Sequence, residues 1–142
     1  MLTVEQNEEL TRVGPGTPMG ELLRRYWYPI AFEQDFDDVF TKSVRLLGEN
    51  WTLFKTPKSG RYGIIAEACP HRRASLTYGV VHEDGIRCGY HGWKWDFDGT
   101  CLEQPAEADN QNFRDRVRQK AGKAEVMGGM VWVYVGPDPA PE

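Results

Sequence analysis

The chain is 142 residues long and carries a formal net charge of −4, from 17 Lys and Arg against 21 Asp and Glu. That length suits one domain able to bury a real core, and the acidic balance without a basic block excludes a nucleic-acid footprint. Apolar runs such as Met130 to Val135 fall far short of the roughly 20 residues of a spanning helix, so no membrane role is expected.

Met1-Leu-Thr-Val-Glu-Gln-Asn-Glu-Glu lacks the basic start and apolar core of a secretion signal, which points to the cytoplasm. Thr3-Val4-Glu5-Gln6 fits a capping box and predicts a short helix from Val4 to about Val13, stopped by Gly14-Pro15. Thr17-Pro18 is a second start, with Thr17 as N-cap and Pro18 at the first helical position. Met19, Leu22, Leu23 and Tyr26 then recur at helical spacing.

From Trp27 onward the chain changes to short β-rich runs between turn residues, the pattern of an all-β domain. The predicted strands are Tyr28 to Phe32, Ser43 to Leu47, Trp51 to Lys55, Tyr62 to Glu67, Gly85 to Arg87, Lys94 to Phe97 and Met130 to Val135. Gly48-Glu49-Asn50, Pro57 to Gly60, Glu83-Asp84-Gly85 and Asp98-Gly99 supply turns. The acidic run from Glu33 to Asp38 reads as a solvated loop. Glu103 to Lys123 is polar and reads as a surface connection with a helical turn near Phe113 to Arg118. Gly136 to Pro141 reads as a linker or tail. The expected organisation is a helical segment over residues 1–27, a β domain over 28–136, and a tail over 137–142.

Cys69-Pro70-His71 and, beyond residues 72–87, Cys88-Gly89-Tyr90-His91 each offer one thiol and one imidazole on a tight loop. Two such loops at the tips of neighbouring hairpins can grip a metal group from both sides, with a cluster-binding subdomain spanning about 67–97. A structural zinc ion also takes two Cys and two His. In common zinc modules, however, the cysteines share one arm and the histidines the other. Mixed arms suit a two-iron cluster in which one iron takes both cysteines and the other both histidines. Replacing two thiolates by neutral imidazoles makes such a cluster less negative and raises its potential. Of the remaining candidates, His82 reads as a strand-end residue and Cys101 as a strand residue. Trp51, Trp95 and Trp132 read as core aromatics.

Cys69-Pro-His-Arg-Arg-Ala-Ser-Leu76, Arg87-Cys-Gly-Tyr-His-Gly-Trp-Lys-Trp-Asp96 and Asp98-Gly-Thr resemble the Rieske domain of the aromatic-ring-hydroxylating oxygenases. Val13 to Trp27 and Gly129 to Pro137 are similar to the start and end of that domain in the phthalate 4,5-dioxygenase-like branch. The resemblance implies stacked antiparallel sheets with a cluster-binding subdomain of two loops, and a Rieske-type 2Fe-2S cluster on Cys69, His71, Cys88 and His91. It also implies that Arg72, Tyr90, Gly92 and Trp93 surround the cluster.

As the N-terminal domain of such an oxygenase, the chain would relay single electrons from a flavin- and iron-sulfur-containing reductase that oxidises NAD(P)H. The acceptor would be a mononuclear iron, in a catalytic domain of the same protein or of a neighbouring subunit, and the parent is expected to be homotrimeric. The chain itself cannot build that iron site: two of its three histidines are committed to the cluster, leaving His82. Its expected part is electron transfer alone, within ring hydroxylation or O-demethylation of an aromatic substrate. A stand-alone Rieske ferredoxin is the alternative within redox proteins, and a zinc-stabilised binding module the alternative outside them.

Two departures from relatives carry expectations. This branch often has glycine after Cys-Pro-His-Arg, so Arg73 would be strained if the backbone there is left-handed. Respiratory members add a cysteine to each motif and a serine after the second histidine; here stand Arg72, Arg73 and Ala74, Gly89 and Tyr90, and Trp93. Fewer hydrogen bonds to sulfur place the expected potential near the lower end of the Rieske range, roughly −150 mV.

Overall fold

The computed structural model describes residues 1–107 and 111–142, and its N-terminal helices start where the caps predict. Thr3 accepts from the Gln6 amide while the Gln6 side chain accepts from the Thr3 amide, opening α1 (Val4–Thr11). Thr17 accepts from the Gly20 amide and opens α2 (Pro18–Leu23). Both helices end earlier than their sequence patterns suggest. No residue of α1 is buried, so packing does not support a further turn.

The strands are β1 (Tyr28–Phe32), β2 (Thr41–Leu46), β3 (Glu49–Lys55), β4 (Tyr62–Ala66), β5 (Val80–His82), β6 (Gly85–Arg87), β7 (Lys94–Trp95), β8 (Cys101–Glu103), β9 (Ala121–Met127) and β10 (Met130–Tyr134). They form a six-stranded sheet in the order β1-β10-β9-β4-β3-β2 and a four-stranded sheet in the order β5-β6-β7-β8, with antiparallel pairing throughout. The fold is thus all-β, of antiparallel sheets preceded by two short helices. A short α3 (Gln111–Arg114) falls in the segment read as a surface connection, of which residues 108–110 lie outside the described residues.

Alternation along β3 and β4 explains how the sheets stack, because successive side chains leave a strand on opposite faces. Trp51, Leu53 and Ile64 enter one core with Val44, Leu46, Val131 and Val133. Phe54 and Ile65 enter a second core with Leu76, Ile86, Trp95, Cys69, Cys88 and Trp93. Both faces of β3 and β4 are therefore covered, and the second core carries the two cysteine loops. Trp51 and Trp95 are fully buried as expected. Trp132 is only half-buried, and its indole N–H donates to the Met127 carbonyl.

Three strands lie outside the sequence reading as such. His82 ends β5 and Cys101 begins β8, as their individual readings held, but β9 falls where a connection and its sequel were expected. Ala-Gly-Lys-Ala-Glu-Val-Met has little β-propensity, and its side chains are mostly exposed. Pairing with β10 stabilises it across Gly128-Gly129, whose φ values of 63° and 77° suit a tight hairpin turn. The tail after β10 has no regular structure, yet it is held against the domain. Trp27 donates to the Pro141 carbonyl at 2.8 Å, and the Tyr134 hydroxyl donates to that of Pro137.

Candidate metal centre

Two loops of the same build approach each other from the second core. In the first, the Cys69 amide donates to the Ala74 carbonyl at 2.9 Å and the Arg73 amide to the Cys69 carbonyl at 2.9 Å. In the second, the Cys88 amide donates to the Trp93 carbonyl at 2.8 Å and the Gly92 amide to the Cys88 carbonyl at 3.0 Å. Each loop reverses through a left-handed residue four places after its cysteine, Arg73 at φ 61° and Gly92 at φ 77°. Gly92 reaches that region freely and Arg73 does not, so the strain anticipated at Arg73 is present.

Each loop begins from a fixed platform. The first leaves β4 and returns through a bridge between Ala68 and Ser75. Ser75 Oγ donates to Glu67 at 2.7 Å, and the buried Gln119 amide donates to the Ala66 and Ala68 carbonyls at 2.8 and 2.9 Å. The second loop joins β6 to β7, which pair at Arg87 and Lys94. Gly89 and Gly92 allow close approach, since a Cβ on them would lie 3.0 Å from the Tyr78 carbonyl oxygen and 3.1 Å from the Pro105 ring.

Although each loop offers one thiol and one imidazole, the fold sorts the donors by kind. Cys69 and Cys88 are 1% and 3% exposed and lie side by side. Burial pushes the Cys69 thiol up to about 11, the adjacent Cys88 adding to the effect. His71 and His91 lie together instead at the half-exposed lip, ring centroids 4.6 Å apart. Partial desolvation, with the neighbouring His71 and Arg72, holds His91 below its ordinary value and favours the neutral ring that can ligate.

The surrounding aromatics orient this pair. The buried Trp93 stacks on His71 with centroids 4.5 Å apart and planes 3° from parallel. Tyr90 is exposed beside His91, and Arg72 is exposed at the first loop's tip. The N–H of the fully buried Trp95 finds no oxygen or nitrogen acceptor and faces the Cys69 sulfur at a geometry too loose for a formed hydrogen bond. Trp95, Arg87 and Gln119 are supporting residues that sequence reasoning missed. Trp95 and Arg87 lie within the motif quoted above, but Gln119 is distant in the chain and no local signal marks it.

These residues fit a two-metal group better than one ion. Two adjacent thiols sealed from water become good ligands only when cations compensate both charges. His91 Nδ1 is buried without a partner, as a nitrogen reserved for another bond would be. Cys101 is buried in the same core, forms no disulfide, and its thiol donates to the Glu103 carbonyl.

Comparison with known proteins bears on the chain as a whole. The profile of the family described as the Rieske 2Fe-2S domain matches residues 26–119. The chain is 53% identical to the 5,5'-dehydrodivanillate O-demethylase oxygenase subunit of Sphingobium sp., over 100% of this chain and 34% of that protein. It is 42% identical to the phthalate 4,5-dioxygenase oxygenase subunit of Pseudomonas putida, over 99% of this chain and 32% of that protein. Among solved structures, an oxygenase–ferredoxin complex of carbazole 1,9a-dioxygenase superposes with a TM-score of 0.67 at 25% identity, covering 84% of this chain and 30% of that one. The chain thus spans about a third of the length of these relatives.

Proposed function

The chain belongs to the Rieske 2Fe-2S domain family, and from that premise we propose that it is the electron-transfer domain of a Rieske oxygenase acting on an aromatic compound. Cys69 and Cys88 hold one iron in this reading, and His71 and His91 the other. The observation that supports it is the sorting of donors across the two loops, thiol beside buried thiol and imidazole beside half-exposed imidazole. A single tetrahedral ion has no use for such sorting, whereas a dinuclear cluster with unlike irons requires it.

When bound, the cluster supplies a one-electron couple. The protein seals the thiol side from water and leaves imidazole edges at the surface, so a redox partner approaches closest at His71 and His91. Trp93 keeps His71 in one orientation by stacking on it. The oxygenase–ferredoxin complex among similar structures supports a redox partner in general. More specifically, we take the donor to be a reductase carrying flavin and an iron-sulfur centre, and the acceptor a mononuclear iron in a catalytic domain of a homotrimeric parent. Three free cysteines fit a reducing cytoplasm, and among the described residues no helix is long and apolar enough to cross a membrane.

Purified protein is expected to be red-brown, with about two irons and two acid-labile sulfides per chain. Iron and sulfide analysis with a visible spectrum tests this. A colourless protein with stoichiometric zinc overturns it.

A further inference from the structure

The two loops are closed by different means. Neutral and carboxylate groups brace the first, through Glu67 with Ser75 and Gln119 with Ala66 and Ala68. A guanidinium closes the second: Arg87 Nη1 donates to the Gly92 carbonyl at 2.8 Å while Nη2 donates to Glu103 Oε2 at 2.6 Å. The Arg87 side chain is 25% exposed and belongs to the residue just before Cys88. Glu103 is held in turn by Lys94, whose ammonium is 3.3 Å away, 8% exposed, and also paired with Asp84 at 2.7 Å.

We propose that Arg87 is the positioning residue of the second ligand loop, its fork anchored by Glu103 and fixing the Gly92 carbonyl, and with it the backbone that carries His91. The role rests on the cluster reading above. Gly92 directly follows His91 and has the left-handed backbone at which the loop turns. Its amide already donates to the Cys88 carbonyl, so the Arg87 bond fixes the other end of the same residue. Only a planar fork can serve a carbonyl and a carboxylate at once in fixed directions; an ammonium is a point charge on a flexible stem. The chain Asp84, Lys94, Glu103 and Arg87 therefore ties the loop to β7 and β8.

The test uses the full cluster-loaded chain and measures the rate of iron release to a chelator and the electron paramagnetic resonance spectrum of the reduced cluster. Arg87→Lys and Glu103→Gln are each expected to release iron roughly tenfold faster, the lower end for groups that support metal ligands, with altered g values. The control Lys123→Gln, which breaks the Lys123–Asp98 pair away from the loops, is expected to match the wild type. If Arg87→Lys loads no cluster, Glu103→Gln carries the test alone. Wild-type release and spectrum in the loaded variants overturn the proposal, as does equal loss in the control. Wild-type protein that takes up no two-iron cluster overturns the underlying cluster reading instead, and does so before any variant is compared.

Discussion

At the scale of residues, the centre combines groups that are poor companions until a cation joins them. Cys69 and Cys88 are desolvated neighbours, and the first is pushed up to about 11. With the proposed ligands, metal binding is coupled to local folding, because the thiolates are stable only with the metal present. Cys88→Ser is expected to abolish iron binding and loosen both loops, seen as a colourless protein; retained iron in that variant removes Cys88 from the ligand set. Arg73 is a separate case, since its φ of 61° is a strain the loop imposes on a β-carbon. Arg73→Gly is expected to raise stability by about 0.5–1 kcal/mol, the left-handed penalty less the extra chain entropy that glycine loses on folding. Denaturant unfolding measures it, and a loss of stability would show that the Arg73 side chain contributes more than its backbone costs.

At the scale of elements, a carboxylate helps join the helical N-terminus to the sheet, beside the Tyr28 hydroxyl that donates to the Leu23 carbonyl. Glu49 on β3 accepts from the buried Arg24 at 2.8 Å, beyond α2, and from Lys120, before β9, at 2.6 Å. Burial works to raise the Glu49 carboxyl, but the hydrogen bonds from Lys120 and Arg24 outweigh it and hold the group below its ordinary value. A depressed carboxyl contributes stability that is present above its unfolded value near 4.5 and lost as pH falls through the folded one. The melting temperature is therefore expected to drop below about pH 4.5. Glu49→Gln should lower stability at neutral pH by on the order of 1–3 kcal/mol, since Arg24 is left buried with its partner neutral, and should flatten that acid limb. A variant with the wild-type pH profile would remove Glu49 from the linkage.

At the scale of the whole molecule, the architecture places a sealed thiol side against the second core and an imidazole side at the surface, which is the polarity an electron carrier needs. Beside the Cys88 thiol, the His71 amide and the Trp95 N–H face the Cys69 sulfur, and neither is the serine hydroxyl that respiratory members add. The midpoint potential is accordingly expected near the lower end of the Rieske range, about −150 mV, by electrochemical titration at neutral pH. A midpoint above about +100 mV would show stronger hydrogen bonding to sulfur than these residues supply. The helix starts and seven of the strands were legible in the sequence because each rests on local rules, cap chemistry and β-rich runs between turn residues, and the spacing of the two Cys and His pairs marked the candidate donors. Strand β9 was not, because weakly β-prone residues become a strand only when β4 and β10 supply hydrogen bonds. Nor were the braces Gln119 and Glu103, whose partners at Ala66, Ala68 and Arg87 are distant in the chain. Local spacing alone marked the candidate ligands; only the tertiary structure decided which of them stand side by side and what holds them there, because long-range packing brings the two loops together.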